Sequence, residues 1–182
     1  MKKTPLKKKT PLKNRGSKLK KSNLAKKKSV QKRKRNIAKK EKRKKNSYST
    51  LWNEIKKCDT AFSQYVRLKD ANKNGEVNCY TCEAKAFWKQ DQIECGHYKG
   101  RGSMNTRWSA KNAKPQCIRC NRFLQGNIEV FAENLVKEYG EGILEYLDKE
   151  SKTKVQLTIV KVRNLRTYYE SQVVKLKEKC TT

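Results

Sequence analysis

The chain has 182 residues, 47 of them Lys or Arg against 17 Asp or Glu, giving a net charge of +30. Such an excess selects a polyanionic partner, nucleic acid before an anionic membrane surface, and the lack of any apolar run of about 18 residues excludes a bilayer span. Hydrophobic residues make up 35%, a modest core of the kind that a structural metal can staple.

The N-terminus is basic but has no apolar stretch of signal-peptide type. The expected location is therefore a reducing cytoplasm, where paired cysteines serve as metal ligands rather than disulfides. Residues 1–47 hold 23 Lys or Arg and a single acid, Glu41, so they carry +22 of the charge and residues 48–182 carry +8. Lys-Lys-Thr-Pro-Leu-Lys occurs twice in tandem, at 2–7 and 8–13. With so few apolar residues this segment cannot repay its ordering entropy, and it is expected to be a disordered basic tail. It reads as a sequence-independent phosphate clamp for DNA or RNA; the plainer reading is a solvated tail.

From Tyr48 the composition changes. Leu51, Ile55, Cys58, Phe62 and Tyr65 recur at helical spacing. Ser49 or Thr50 is placed to cap that helix, and Asn72-Lys-Asn-Gly75 to end it. Cys58 on this stripe reads as a small buried hydrophobe. Gln92–Tyr98 reads as a strand. Ile128, Phe131, Leu135, Val136 and Tyr139 predict a helix stopped by Gly140, Ile143–Leu147 a short one, and 158–177 a last one.

The chemistry lies in 77–127. Cys79-x2-Cys82 and Cys117-x2-Cys120 form two knuckles separated by 34 residues. Each tight turn brings two thiolates to one ion, and two knuckles complete the closed tetrahedron of structural zinc. A redox role is weaker, because no βαβ pattern surrounds either pair. His97, the one histidine, lies between the knuckles, with Asn112 and Asn121 following it. Lys99, Arg101, Arg107, Lys111, Arg119 and Arg122 crowd the same segment as candidate phosphate contacts. Trp88 and Trp108 read first as core around the zinc and second as stacking platforms for bases.

Taken together, Cys79-Tyr-Thr-Cys82, Glu94-Cys-Gly-His97-Tyr98, Arg107-Trp108, Asn112, Gln116-Cys117-Ile-Arg-Cys120-Asn121 and Gly126-Asn127 resemble the NinG/Rap family of lambdoid phages. That family is similar to HNH (ββα-metal, His-Me finger) proteins. The four-cysteine zinc followed at once by Asn121 also resembles endonuclease VII of T-even phages. The resemblance implies an α+β fold: a zinc-stapled ββα-metal centre flanked by helices, with the domain at 48–182, the centre at 77–127 and C-terminal helices over 128–180. It implies an endonuclease acting on branched recombination intermediates such as Holliday junctions and D-loops, in a bacterial host cytoplasm. His97 would be the general base, Asn112 would orient it, and Asn121 would ligate a catalytic Mg²⁺ or Mn²⁺. Lys99, Arg101, Arg107 and Arg122 would bind DNA. A homodimer suits two symmetric cuts, and recombination proteins are natural partners.

This chain departs from the HNH pattern at Gly96, where a carboxylate or His usually precedes the general base. Glu94 shares the strand face of Gly96 and is expected to supply the missing ligand, with Asp91 a weaker candidate. Phe123 stands where related sequences can carry His. Two other readings stay open on the residues alone: a zinc-stapled module that binds junctions or RNA without cutting, and an HNH nuclease with sequence preference.

Overall fold

The computed structural model describes residues 15–89 and 92–180, the side chains of 15–26 and 44–49 excepted. The tandem repeat at 2–13 and Asp91 lie outside the described residues. Backbone contacts divide the chain into two units, Met1–Tyr48 and Ser49–Thr182.

The first helix, α1, runs over Arg15–Lys69. One expectation is corrected here: the helix passes through Ser49 and Thr50 instead of starting there, and its backbone extends back to Arg15. Lys, Arg, Gln and Ala lose little rotamer freedom in a helix, so the backbone can be helical with no core to pack against. Residues 27–43 are all exposed, in keeping with a segment that has no apolar face.

In the second unit, α1 buries Ile55, Cys58, Ala61, Phe62 and Val66. These recur at three- and four-residue spacing, as the stripe predicted. The helix ends where expected: the Asn72 side-chain oxygen accepts from the Asn74 and Glu76 amides at 3.0 and 2.9 Å, and Gly75 takes φ +78°. This Asx turn reverses the chain into an antiparallel hairpin of β1 (Glu76–Asn78) and β2 (Lys85–Phe87). A second antiparallel pair follows, β3 (Ile93–His97) and β4 (Ala113–Cys117), with Glu94 opposite Gln116 and His97 opposite Ala113. Beyond β4 come a π-helical turn at Arg119–Phe123, then α2 (Ile128–Tyr139), α3 (Ile143–Lys152) and α4 (Ile159–Lys179). The Thr158 hydroxyl caps α4 by accepting from the Lys161 amide at 3.2 Å.

The unit is therefore mixed α and β, with helices around two small sheets. One core cluster joins α1 to Trp108, Ala113, Val162 and Tyr169. A second gathers Leu68, Val77, Cys79, Trp88, Ile93, Cys120 and Val173. A third packs α2 on α3 through Phe131, Leu135, Ile143 and Leu147, with Tyr80 and Tyr98 against it. Trp88 and Trp108 are thus core residues. No helix among the described residues is long and apolar enough to cross a membrane.

Candidate functional site

The four knuckle cysteines come from two different elements. Cys79 and Cys82 sit in the turn of the β1–β2 hairpin, where the Cys79 amide donates to the Ala84 carbonyl at 2.8 Å. Cys117 ends β4, and Cys120 lies in the π-helical turn. The Tyr80 amide bonds the Pro115 carbonyl at 2.8 Å and ties the first knuckle to β4. As a result all four Sγ atoms fall within 4.8 Å of one another. The Cys82–Cys117 sulfur separation is 3.6 Å. A disulfide holds its sulfurs at about 2.05 Å, whereas two Zn–S bonds of about 2.3 Å in a tetrahedron place sulfurs about 3.8 Å apart. The cluster can thus hold one structural zinc. Burial opposes ionisation of Cys79, but hydrogen bonds from the Cys117 and Thr81 backbone and the Thr81 side chain outweigh it, bringing the thiol down to about 6. Burial and its sulfur neighbours push Cys82 up to about 12, so a cation is what would let all four ionise together.

His97 ends β3 at the edge of a cleft of about 750 Å³. Its Nε2 lies 2.9 Å from the Arg107 carbonyl oxygen and its Nδ1 3.3 Å from the Cys95 carbonyl. A carbonyl only accepts, so in the neutral ring the shorter contact favours the proton on Nε2 and leaves Nδ1 unprotonated beside the Cys95 carbonyl. Burial lowers the His97 pKa below 6.5; the Arg107 carbonyl raises it in part, and the Arg101 charge lowers it further. The imidazole is therefore neutral at pH 7.

Glu94 and Asn121 line the same cleft. Asn121 Nδ2 donates to the Glu94 carboxylate at 2.7 Å, and the Arg122 guanidinium grips that carboxylate through both arms, Nε at 3.0 Å. Burial alone would raise Glu94; hydrogen bonds from Arg122 and Asn121 and the Arg101 charge hold it below its ordinary value. Asn121 and Arg122 face Glu94 because they follow Cys120 within the π-helical turn. Such single-turn π segments occur often at functional sites.

The structure also explains Gly96. A Cβ there would lie 2.7 Å from Cδ and 2.9 Å from Cγ of Gln116, and closer still to Oε1. Gln116 is fully buried and donates to the Thr81 hydroxyl at 3.0 Å and the Gly126 carbonyl at 2.8 Å. The space a side chain at position 96 would take is filled by a residue bridging the first knuckle to the turn after the second.

Asn112 is fully buried and hydrogen-bonds the loop rather than the His97 ring. Its Oδ1 accepts from the Lys99 amide at 2.7 Å; its Nδ2 donates to the Lys99 and Thr106 carbonyls at 2.9 and 3.1 Å. It closes the wide loop between β3 and β4 and so supports the backbone around Arg107.

The four expected DNA contacts separate into two pairs. Arg101 and Arg122 are exposed and line the cleft. Lys99 pairs with Asp148 at 2.9 Å. Arg107 is 7% exposed and forks onto Asp59 at 2.8 and 2.6 Å, so a surface phosphate contact from Arg107 is corrected to an interior role. Cys95 lines the cleft, and burial pushes its thiol up to about 12. Sequence reasoning gave no role to Asp59, to Gln116 or to the pairing of buried Lys114 with the more exposed Glu138. Spacing within one segment carries no signal for partners this far apart in sequence.

The arrangement defines a strongly basic, cysteine-clustered α/β protein with one histidine in a charged cleft. The chain matches the family model described as NinG, Bacteriophage Lambda NinG protein, over residues 2–179, and it belongs to that family. No curated protein and no solved structure matches it.

Proposed function

We propose that this protein is a structure-selective DNA endonuclease that hydrolyses phosphodiester bonds in branched recombination intermediates, Holliday junctions and D-loops among them. The observation carrying this reading is that His97, Glu94 and Asn121 line one cleft. Arg101 and Arg122 beside them are suited to hold a DNA strand by its phosphates. Water attacks the phosphorus as His97 takes its proton through Nδ1; the bond to the 3′ oxygen breaks, and that oxygen leaves with the electron pair. A neutral imidazole protonated on Nε2 leaves Nδ1 without a proton, the protonation state this step requires.

The donor set fits a hard divalent cation. Glu94 offers a carboxylate, and Asn121, its amide turned about, offers an oxygen. Mg²⁺ or Mn²⁺ held there would neutralise charge on the scissile phosphate. The zinc cluster is closed, and its part is to fix the turn that carries Asn121. The basic segment 15–47 adds salt-dependent affinity without sequence preference.

A second reading, a zinc-stabilised module that binds junctions or RNA without cutting, draws support from one observation. Arg122 and Asn121 already satisfy Glu94, and an ion would have to displace them. The test is cleavage of a labelled four-way junction, a D-loop and a linear duplex of one sequence. Wild type and His97→Ala are compared with Mg²⁺, Mn²⁺ or EDTA at equal zinc content. Metal-dependent cutting of branched forms, lost in His97→Ala, is expected. Tight junction binding with no cutting by either protein would favour the second reading.

A further inference from the structure

The general-base reading leaves one question: what makes His97 adopt a single tautomer. Its Nε2 partner is the carbonyl of Arg107, in the middle of a long loop, and a loop carbonyl can aim a ring only if its own backbone is fixed. Asn112 fixes the loop's ends. The stretch around Arg107 is fixed by α1. Asp59 accepts from Arg107 Nε at 2.8 Å and Nη2 at 2.6 Å. Its Oδ1 also accepts from the Trp108 indole N–H at 2.8 Å. The Tyr169 hydroxyl, from α4, donates to the Trp108 carbonyl at 2.6 Å. The Arg107 carbonyl is thus bracketed by two side chains on Asp59 and by a backbone bond on the Trp108 side.

We infer that Asp59 is a positioning residue for His97: by clamping Arg107 and Trp108 it fixes the Arg107 carbonyl, which holds the ring as the Nε2–H tautomer and so keeps Nδ1 unprotonated. The carboxylate suits this task because a guanidinium fork and a carboxylate meet in one plane through two bonds, a geometry Lys cannot reproduce. The clamp is well shielded, with side-chain exposures of 9% for Arg107 and 20% for Asp59. Arg107 Nη1 also donates to the Arg101 carbonyl, so the same carboxylate orders the backbone of a cleft cation. One helical turn beyond Asp59, Phe62 packs its ring 6.1 Å from the His97 ring, and α1 therefore acts on both the imidazole and its hydrogen-bond partner.

The tautomer lock stands on this geometry alone; its use in catalysis rests on the nuclease reading. The two are separable because the chain has one histidine, so ¹⁵N-histidine labelling of the tag-free, zinc-loaded protein gives a single imidazole spectrum. Wild type is expected to show one protonated nitrogen, Nε2. Asp59→Ala is expected to give averaged tautomers. Asp59→Asn and Arg107→Lys, which preserve volume and serve if Asp59→Ala does not fold, are expected to do so in part. If the variants fold with full zinc content and keep the wild-type imidazole spectrum, the inference is overturned. In the junction assay Asp59→Asn is expected to lower kcat about 100-fold, the scale of a misplaced reacting group, with KM little changed. A tautomer that depends on Asp59 in a protein that cuts nothing would sink the nuclease reading and leave the lock intact.

Discussion

Placing a side chain at position 96 tests how the site is built. A Cβ there meets the Gln116 side chain at 2.7 to 2.9 Å for its carbons and nearer for Oε1. Gln116 cannot yield freely, because it is fully buried and held by bonds to Thr81 and Gly126. Gly96→Ala must either strain the packing, at about 1–3 kcal/mol, or expel Gln116 and lose two buried hydrogen bonds at about 1 kcal/mol each. The expected loss is about 2–4 kcal/mol, read as a shift in the urea midpoint of zinc-loaded protein at unchanged m-value. In a Gln116→Ala background the space is already open. There the same substitution is expected to cost less than about 0.5 kcal/mol, giving a favourable coupling of about 2 kcal/mol or more in the double-mutant cycle. Independent, additive costs at the two positions would refute the idea that Gln116 occupies the place of a side chain at 96. The same cycle bears on chemistry: Gly96→Asp alone should not restore a metal-binding carboxylate, since its side chain has nowhere to go.

Three further outcomes are expected. The folded chain should carry one zinc, and stripping it with a strong chelator, or changing Cys79 to Ser, should abolish cooperative unfolding of the cysteine-bearing region. Apparent zinc energies of about 10–16 kcal/mol in small domains rival the whole stability of a domain, about 5–15 kcal/mol; an unchanged urea midpoint in the metal-free protein would refute this. Burial holds the folded His97 pKa below its ordinary 6.5, so between those values the unfolded chain binds more protons than the folded one. The stabilisation is therefore present above about pH 6.5 and lost as pH falls through the lowered folded value; wild type should lose stability more steeply than His97→Gln in that window, and parallel curves would contradict it. Glu138→Gln should cost about 1–3 kcal/mol in urea unfolding, because it leaves the Lys114 ammonium, with 3% side-chain exposure, without its counter-charge; the partial exposure of Glu138 keeps the figure below that of a fully buried pair. A change under about 0.5 kcal/mol would show that Tyr139, 2.9 Å from Lys114 Nζ, suffices.

Local patterns made much of this legible. The spacing of Cys79, Cys82, Cys117 and Cys120 needed only the tight turn of each knuckle to predict convergence. The stripe Ile55, Cys58, Phe62 marked the buried face of α1, and Asn72 with Gly75 marked its end. Its beginning was not legible, since apolar periodicity reports packing, and the described side chains upstream, 27–43, are all exposed. Arg107 was misread for a related reason. A basic residue in a basic segment looks like a phosphate contact until the carboxylate that claims it is known, and Asp59 lies 48 residues away on another element. Gly96 looked like a lost ligand because sequence could not place Gln116 against it.

The two centres are joined by one turn of chain. Cys120 belongs to the sulfur cluster, Asn121 and Arg122 bond Glu94, and all three lie within Arg119–Phe123. The ring of that turn is closed by the Leu124 amide on the Arg119 carbonyl at 2.9 Å, and the Gly126 amide bonds the Cys120 carbonyl at 2.9 Å. A five-residue π-helical turn has little stability of its own, and an ion on the Cys120 sulfur gives it a fixed end. An ion held by the four cysteines would therefore shape the cleft through the geometry of this turn. If zinc is lost, the Asn121–Glu94 contact should fail while α2 and α3, packed through Phe131, Leu135, Ile143 and Leu147, still hold together. Helical content would then outlast the Asn121–Glu94 contact, an order that circular dichroism and the amide signal of Asn121 would read separately.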